Sequence, residues 1–196
     1  MFFFDLETIG TTDNPVVLSI GIVHVEDASP RTFADLISDK HSLFLKLDIK
    51  SQLNAGRKIN KETLEWWKKQ PIEIQKENLL PSVDDLDPLE AINALKKWIY
   101  NKSKKVKSNT CFTRGGFDQL VIEGLCVDTL GVKPPFDFWD YRDVRTAIEL
   151  LYPETSERAY VKIDETRCPG ANEYFAKKHN PVIDSALDAA MILYGI

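Results

Sequence analysis

No apolar run in this sequence approaches the ~18 residues of a membrane-spanning helix, so a helical membrane anchor is not expected and no membrane partner is assigned. The first residues lack a basic stretch followed by a small-residue cleavage site, and no secretory leader is expected. Cysteine is scarce. Cys111, Cys126 and Cys168 are odd in number and widely spaced, which excludes a disulfide framework or a paired metal knuckle. Buried thiols in a reducing, cytosolic compartment are expected instead. Excess positive charge is missing too, since 25 Lys+Arg stand against 30 Asp+Glu, for a net charge of -5. A protein that grips duplex through a broad electrostatic face is basic. Contact with nucleic acid is therefore expected to be local, where cations offset acids. Repeats and low-complexity segments are absent as well. What is present is ordinary for an ordered domain: 43% hydrophobic and 28% charged residues over 196 positions. That length suits one domain, 1–196, with a sizeable core.

The chain opens with Phe2-Phe3-Phe4-Asp5-Leu6-Glu7. A run this apolar reads as a strand buried on both faces. Alternation turns Asp5 and Glu7 to the same side, roughly 7 Å apart. Forced together, they repel unless something positive lies between them, and two hard oxygen ligands suit Mg²⁺ or Mn²⁺. The alternative is a strand that stops at Asp5, with both acids solvated in a turn. Val16–Val25 reads as a second strand after the Asn14-Pro15 turn, and Ser42–Leu47 as a third. Short connections make these three an antiparallel meander.

Helical patterning starts at Asn60. Lys61–Lys69 carries Trp66 and Trp67, which cannot share one helix face. Either both belong to the core, or one sits at a rim where a base can stack on it. Asp87-Pro88-Leu89-Glu90 starts a helix whose stripe Ile92, Leu95, Ile99 runs to about Tyr100. Lys96–Lys107 is the most basic window, either a solvated helix end or a phosphate track. Asn109–Thr113 reads as a fourth strand, which Arg114-Gly115-Gly116 turns into a helix over Phe117–Thr129. Phe136–Trp139 is expected as a short fifth strand and Tyr141–Leu151 as a helix. Glu154–Pro169 is irregular and polar, a candidate mobile loop. Asn172–Lys178 is a short helix, and Pro181–Tyr194 a closing amphipathic helix. Strands followed by alternating strands and helices indicate an α/β domain with a mixed sheet.

Four acids stand out: Asp5 and Glu7 ending the first strand, Asp118 opening a helix after a strand, and Asp184 one turn into the last helix. Each adjoins apolar sequence, where a lone acid is costly unless paired, solvated or metal-bound. Carboxylates from three segments are what a two-metal phosphoryl-transfer site requires. Pro181 keeps Asn180 out of the helix and leaves His179 in the loop before it. From there His179 reaches over the same site with a side chain suited to proton transfer. Taken alone, a loop histidine is equally a solvated surface residue.

Asp-x-Glu-Thr-x-Gly at 5–10, Gly-x-Phe-Asp ending at Asp118, and His-x-x-x-x-Asp from His179 to Asp184 occur in that order. The ordered set resembles the histidine branch of the DEDD 3′→5′ exonucleases. More closely, it resembles the phage exonuclease A group, with its Glu-Trp-Trp-Lys stretch like 65–68, a nearby Gln70 and an Arg-Asp-x-Arg-Thr like 142–146. The resemblance implies a ribonuclease H-like fold with about five strands flanked by helices. It implies two divalent ions, Mg²⁺ or Mn²⁺, on Asp5, Glu7, Asp118 and Asp184, with His179 as general base. It also implies terminal-nucleotide contacts at Leu6 and Thr8, with Asp143 and Asp188 as supporting acids. Trp66 and Arg114 join the substrate-binding set, although relatives have a longer turn beside Arg114. The expected activity is release of nucleoside 5′-monophosphates from single-stranded 3′ ends, with DNA favoured over RNA. Exoribonuclease trimming, a small-molecule phosphatase and a non-catalytic binding module are the alternatives. The expected setting is the cytoplasm of a bacterial or phage-infected cell, and a homodimer is one assembly the resemblance allows.

Overall fold

The computed structural model describes residues 1–11, 14–103, 109–177 and 179–196. Lys104, Lys105 and Lys107 of the basic window, and Lys178, lie outside them. Five strands form one sheet: β1 (Phe2–Thr8), β2 (Val17–His24), β3 (Ser42–Lys46), β4 (Cys111–Thr113) and β5 (Tyr141–Asp143). Their order is β3-β2-β1-β4-β5. The β1–β2 and β2–β3 pairs are antiparallel, while β1–β4 and β4–β5 are parallel. This mixed sheet, flanked by helices, is the ribonuclease H-like α/β architecture, and the antiparallel start expected from the short connections is present.

The helices are α1 (Phe33–Leu36), α2 (Ile49–Asn54), α3 (Lys61–Trp67), α4 (Ile72–Ile74), α5 (Pro88–Ser103), α6 (Phe117–Gly124), α7 (Val144–Leu151) and α8 (Pro181–Tyr194). π-helical turns follow α4 at Gln75–Leu79 and α6 at Leu125–Thr129. Among the described residues no helix is long and apolar enough to cross a membrane.

Strand alternation divides the core. Phe2, Phe4 and Leu6 pack on one side of the sheet with Ala91, Ile92, Leu95 and Ile99 of α5 and Ile122 of α6. Phe3 packs on the other with Val144 of α7 and Val182, Ala186 and Ala190 of α8. Asp5 and Glu7 share the Phe3 parity, so β1 delivers both toward α8. A third cluster, with Trp67 at its centre and Ile9, Leu18 and Leu79 around it, closes the end of β1.

Three expectations change. Phe136–Trp139 is not a strand: Phe138–Asp140 is a 3₁₀ turn, locked by reciprocal Asp137 and Asp140 side-chain caps. The fifth strand is Tyr141–Asp143, and Asp143 caps α7, so that helix starts at Val144 rather than Tyr141. The short helix near 172 is a 3₁₀ turn, Ala171–Tyr174. In addition, α8 is less amphipathic than its pattern suggested, because even Ser185 and Asp188 are buried.

α8 lies on β2 at Gly21. A Cβ at Gly21 would fall 2.1 Å from the carbonyl carbon of Pro181 and 2.3 Å from the nitrogen of Val182. Backbone, not a flexible side chain, occupies that space. Gly21→Ala is therefore expected to destabilise the protein by at least about 1–3 kcal/mol, the usual penalty for overpacking. Thermal unfolding checks this, at about 2–4 °C per kcal/mol; an unchanged Tm would mean that α8 is not seated there.

Candidate active site

β1 ends in a register shift between Glu7 and Thr8. Asp5 and Glu7 project from it toward the first turn of α8, where Asn180 caps the helix by accepting from the Val182 and Ile183 N–H groups. The cap fixes the start of α8 and with it Asp184. Asp5, Glu7 and Asp184 each offer a carboxylate oxygen, and these atoms lie within 4.8 Å of one another. Three hard donors at that spacing fit a divalent cation of the Mg²⁺ or Mn²⁺ type. They line one cavity of about 350 Å³ with His179, Arg114, Tyr160 and Asp188.

Asp118 stands in the first turn of α6, 5% exposed. It is outside the tight trio, with its carboxyl accepting from the Leu6 N–H. Its charge nevertheless reaches Asp5 and Glu7. Burial, then Asp118, Glu7, Asp184 and Asp188, push Asp5 well above the usual carboxylate range. Burial, then Asp184 and Asp118, push Glu7 up to about 8. Burial and Asp188 push Asp118 up to about 7. The cluster holds more negative charge than its own surroundings neutralise, which is the electrostatic signature of a cation or proton site.

His179 sits directly beside the trio. Its Nδ1 is 3.8 Å from Glu7 Oε1, and its backbone N–H donates to Asp184 Oδ2 at 3.1 Å. Trp66 and Trp67 flank it edge-on, at centroid distances of 4.8 Å and 6.1 Å. The two tryptophans divide as one of the sequence readings had it. Trp67 is buried and donates from Nε1 to the Thr8 carbonyl at 2.9 Å. Trp66 is 41% exposed and borders an open groove that also touches Thr8, Glu62 and His179.

The remaining sequence candidates take varied places. Leu6 is buried in the α5-side core and reaches the cavities only as part of their wall. The Thr8 hydroxyl donates to the Gly10 carbonyl at 2.6 Å. Arg114 donates from Nε and Nη2 to Asp188 Oδ1 at 3.0 Å and 2.6 Å, and from Nη1 to the Ala159 carbonyl at 3.1 Å. Its guanidinium also covers the Tyr160 ring at 4.3 Å. The guanidinium is thus engaged within the protein, holding Asp188 beneath the site. Asp143 accepts from Gly115 N–H at 2.8 Å and from Thr146 N–H at 2.7 Å. It joins the turn carrying Arg114 to the start of α7.

Sequence reasoning missed Asn78, Ser19, Tyr160 and Gly21. Gly21 alone left a signal, a glycine inside a strand pattern, which marks close backbone approach. Tyr160 is presented by a tight turn in which Arg158 and Ala159 have φ of 52° and 60°. Neither residue type announces such a turn.

Residues 1–194 match the family described as 3′-5′ exoribonuclease Rv2179c-like domain. An exodeoxyribonuclease of Enterobacteria phage T4 is 29% identical over 215 aligned positions, which take in 100% of this chain and 88% of the relative.

The raised acids make stability fall as pH rises. With no cation bound, burial and the neighbouring acids keep protons on Asp118 and Glu7 between about pH 4 and 8 that the unfolded chain has released. The folded state binds more protons throughout that window, so alkalinity disfavours it, the reverse of a salt-bridged carboxylate. In chelator, the isosteric Asp118→Asn is expected to be more stable than the parent at pH 8, by on the order of 1 kcal/mol or more. That advantage should vanish near pH 4, and thermal melts at both pH values measure it.

Proposed function

The chain belongs to the Rv2179c-like 3′-5′ exoribonuclease domain family and is a 3′-5′ exonuclease; from this we propose that Asp5, Glu7, Asp118, Asp184 and His179 form its catalytic centre, within a single domain spanning residues 1–196. The convergence of carboxylate oxygens from β1 and α8 within 4.8 Å, beside a histidine, is the observation that carries this reading. Asp5, Glu7 and Asp184 hold the cations, and Asp118 completes the set from α6. Two divalent ions bound there supply positive charge at the entering and departing oxygens of a phosphodiester displacement. His179 takes the proton of the attacking water at its imidazole. Glu7, 3.8 Å away, favours the imidazolium that results. Arg114 keeps Asp188 neutralised beneath the cluster, and Asp143 holds the Arg114 turn in register.

The Trp66 groove receives the terminal nucleotide. An exposed indole supplies a stacking face of no base specificity, and the acidic surroundings suit a frayed or single-stranded end better than a duplex. Nucleoside 5′-monophosphates leave from this groove. Single-stranded DNA is the favoured substrate, in keeping with the activity named for the phage relative. The family description favours RNA as the second reading. Action in the cytoplasm follows from the cell that such substrates occupy.

The test is digestion of 5′-labelled single-stranded DNA and RNA of one sequence, in Mg²⁺, Mn²⁺ or chelator. A metal-dependent ladder shortening from the 3′ end is expected, faster on DNA. Asp184→Asn is expected to slow it by at least about 10²-fold, the scale of losing one charge-stabilising group. Undiminished turnover in that variant would overturn the site. Trp66→Ala is expected to weaken substrate binding by about 1–3 kcal/mol, the worth of one stacked base, with little change in kcat. Titration of KM with oligonucleotide concentration checks it.

A further inference from the structure

His179 occupies a backbone conformation that few side chains adopt. Its φ is 71°, in the left-handed region, where a non-glycine residue persists only when its surroundings over-determine it. Asn78 provides that constraint. It is 0% exposed and lies in the π-helical turn Gln75–Leu79, a type of irregularity frequent at functional sites. Its Nδ2 donates to the His179 carbonyl at 2.8 Å and to the Ile74 carbonyl at 3.3 Å. Its Oδ1 accepts from the Ser19 hydroxyl at 2.5 Å. Ser19 is the cross-strand partner of Glu7 in the β1–β2 pair. Glu7 in turn lies 3.8 Å from the His179 ring.

Glu7, Ser19, Asn78 and His179 therefore close a ring of contacts. One side is the hydrogen-bonded β1–β2 pairing, and the opposite side is the approach of imidazole to carboxylate. The neighbouring turn residue reinforces it, because Glu77 accepts from the Asn180 side chain. Two consecutive side chains of the π turn thus grip two consecutive residues of the loop before α8. A buried amide with its acceptor and a donor hydrogen both engaged has little freedom to reorient.

We propose that Asn78 is the positioning residue for His179. It touches neither substrate nor reacting atoms. By anchoring the His179 carbonyl to β2 through Ser19, it holds the left-handed backbone that aims the imidazole at the Glu7 side of the site. This rests on the assignment of His179 as the base, and a purely architectural role for Asn78, joining the α4 region to β2, is the competing account.

A double-mutant cycle separates them, read as single-turnover kcat with enzyme in excess. Asn78→Ala is expected to lower kcat about 10–100-fold with KM changed less than about 3-fold, the scale of losing an orienting partner. In the His179→Ala background the same substitution is expected to change kcat less than about 2-fold, because the residue it acts through is gone. Ser19→Ala leaves the Asn78 amide on His179 but removes its anchor, and a smaller loss, about 2–10-fold, is expected. Should Asn78→Ala melt below the assay temperature, the cycle run with Ser19→Ala decides. Equal fold-losses in both backgrounds, or a folded Asn78→Ala enzyme with the parent's kcat, would overturn the proposal. A His179→Ala enzyme with undiminished kcat would overturn the base assignment and this proposal together. It is told apart from the other outcomes because that single variant reveals it.

Discussion

The backbone of Pro181 and Val182 rests where a side chain on Gly21 would be. Among the described residues, this helix–sheet contact is the one that brings the acids of β1 and α8 together. With α8 drawn this close to β2, its first turn lies level with the end of β1, and Asp184 meets Asp5 and Glu7. The Ser185 hydroxyl, donating to the Gly21 carbonyl at 3.3 Å, sits about one helical turn further along the same contact. Asn180 fixes where the helix begins, and Pro181 keeps the residue before it extended. His179 is thereby left in the loop, over the acids rather than buried along the helix. A small residue in a central strand, with no polar atom beyond its peptide, thus sets the distance between two segments that hold every group the proposed chemistry uses except Asp118.

The price of that arrangement is electrostatic. Asp5, Glu7, Asp184 and Asp188 line one partly buried cavity, Asp118 adds its charge from beside them, and Arg114 pairs with Asp188. Burial raises Asp188 and Arg114 pulls it back only in part. The apolar core compensates for this repulsion: Phe2, Phe3 and Phe4 are at most 2% exposed. Three consecutive phenylalanines, buried on alternate faces, hold β1 in the sheet against the mutual repulsion of the acids that follow them. The Arg158–Ala159 turn is a second such compromise. Two left-handed non-glycine residues are retained there, and Arg114 holds the turn through the Ala159 carbonyl and the Tyr160 ring.

Much of this was readable from the chain because its causes are local. The run at 2–4 announces a strand buried on both faces, and alternation alone sends Asp5 and Glu7 the same way. Pro181 leaves His179 in the loop before the last helix, and the tryptophan pair, which cannot share one helix face, leaves a split between core and rim as one of two readings. The fifth strand was misread because Phe136, Phe138 and Trp139 have strand propensity. The reciprocal caps of Asp137 and Asp140, which bend that stretch, needed to be weighed against it. Asp143, followed by Thr146, was the local signal for a helix start at Val144. What no local pattern could supply is Asn78. Its partners are Ser19, far before it, and His179, far after it. A π turn has no distinctive composition, and a buried asparagine reads in sequence as one more polar loop residue.

The ordering of segments along the chain has a consequence for how the activity first arises. β1 pairs with β2 almost as soon as both exist, because only a short turn separates them. The strand bearing Asp5 and Glu7 is therefore among the first elements to be synthesised. Asp118 follows midway, and the loop and helix carrying His179 and Asp184 come after every other element. A chain made only as far as the middle of its sequence carries two acids of the trio but neither the third carboxylate nor the histidine. The acid trio is complete only once the last helix has docked on the sheet.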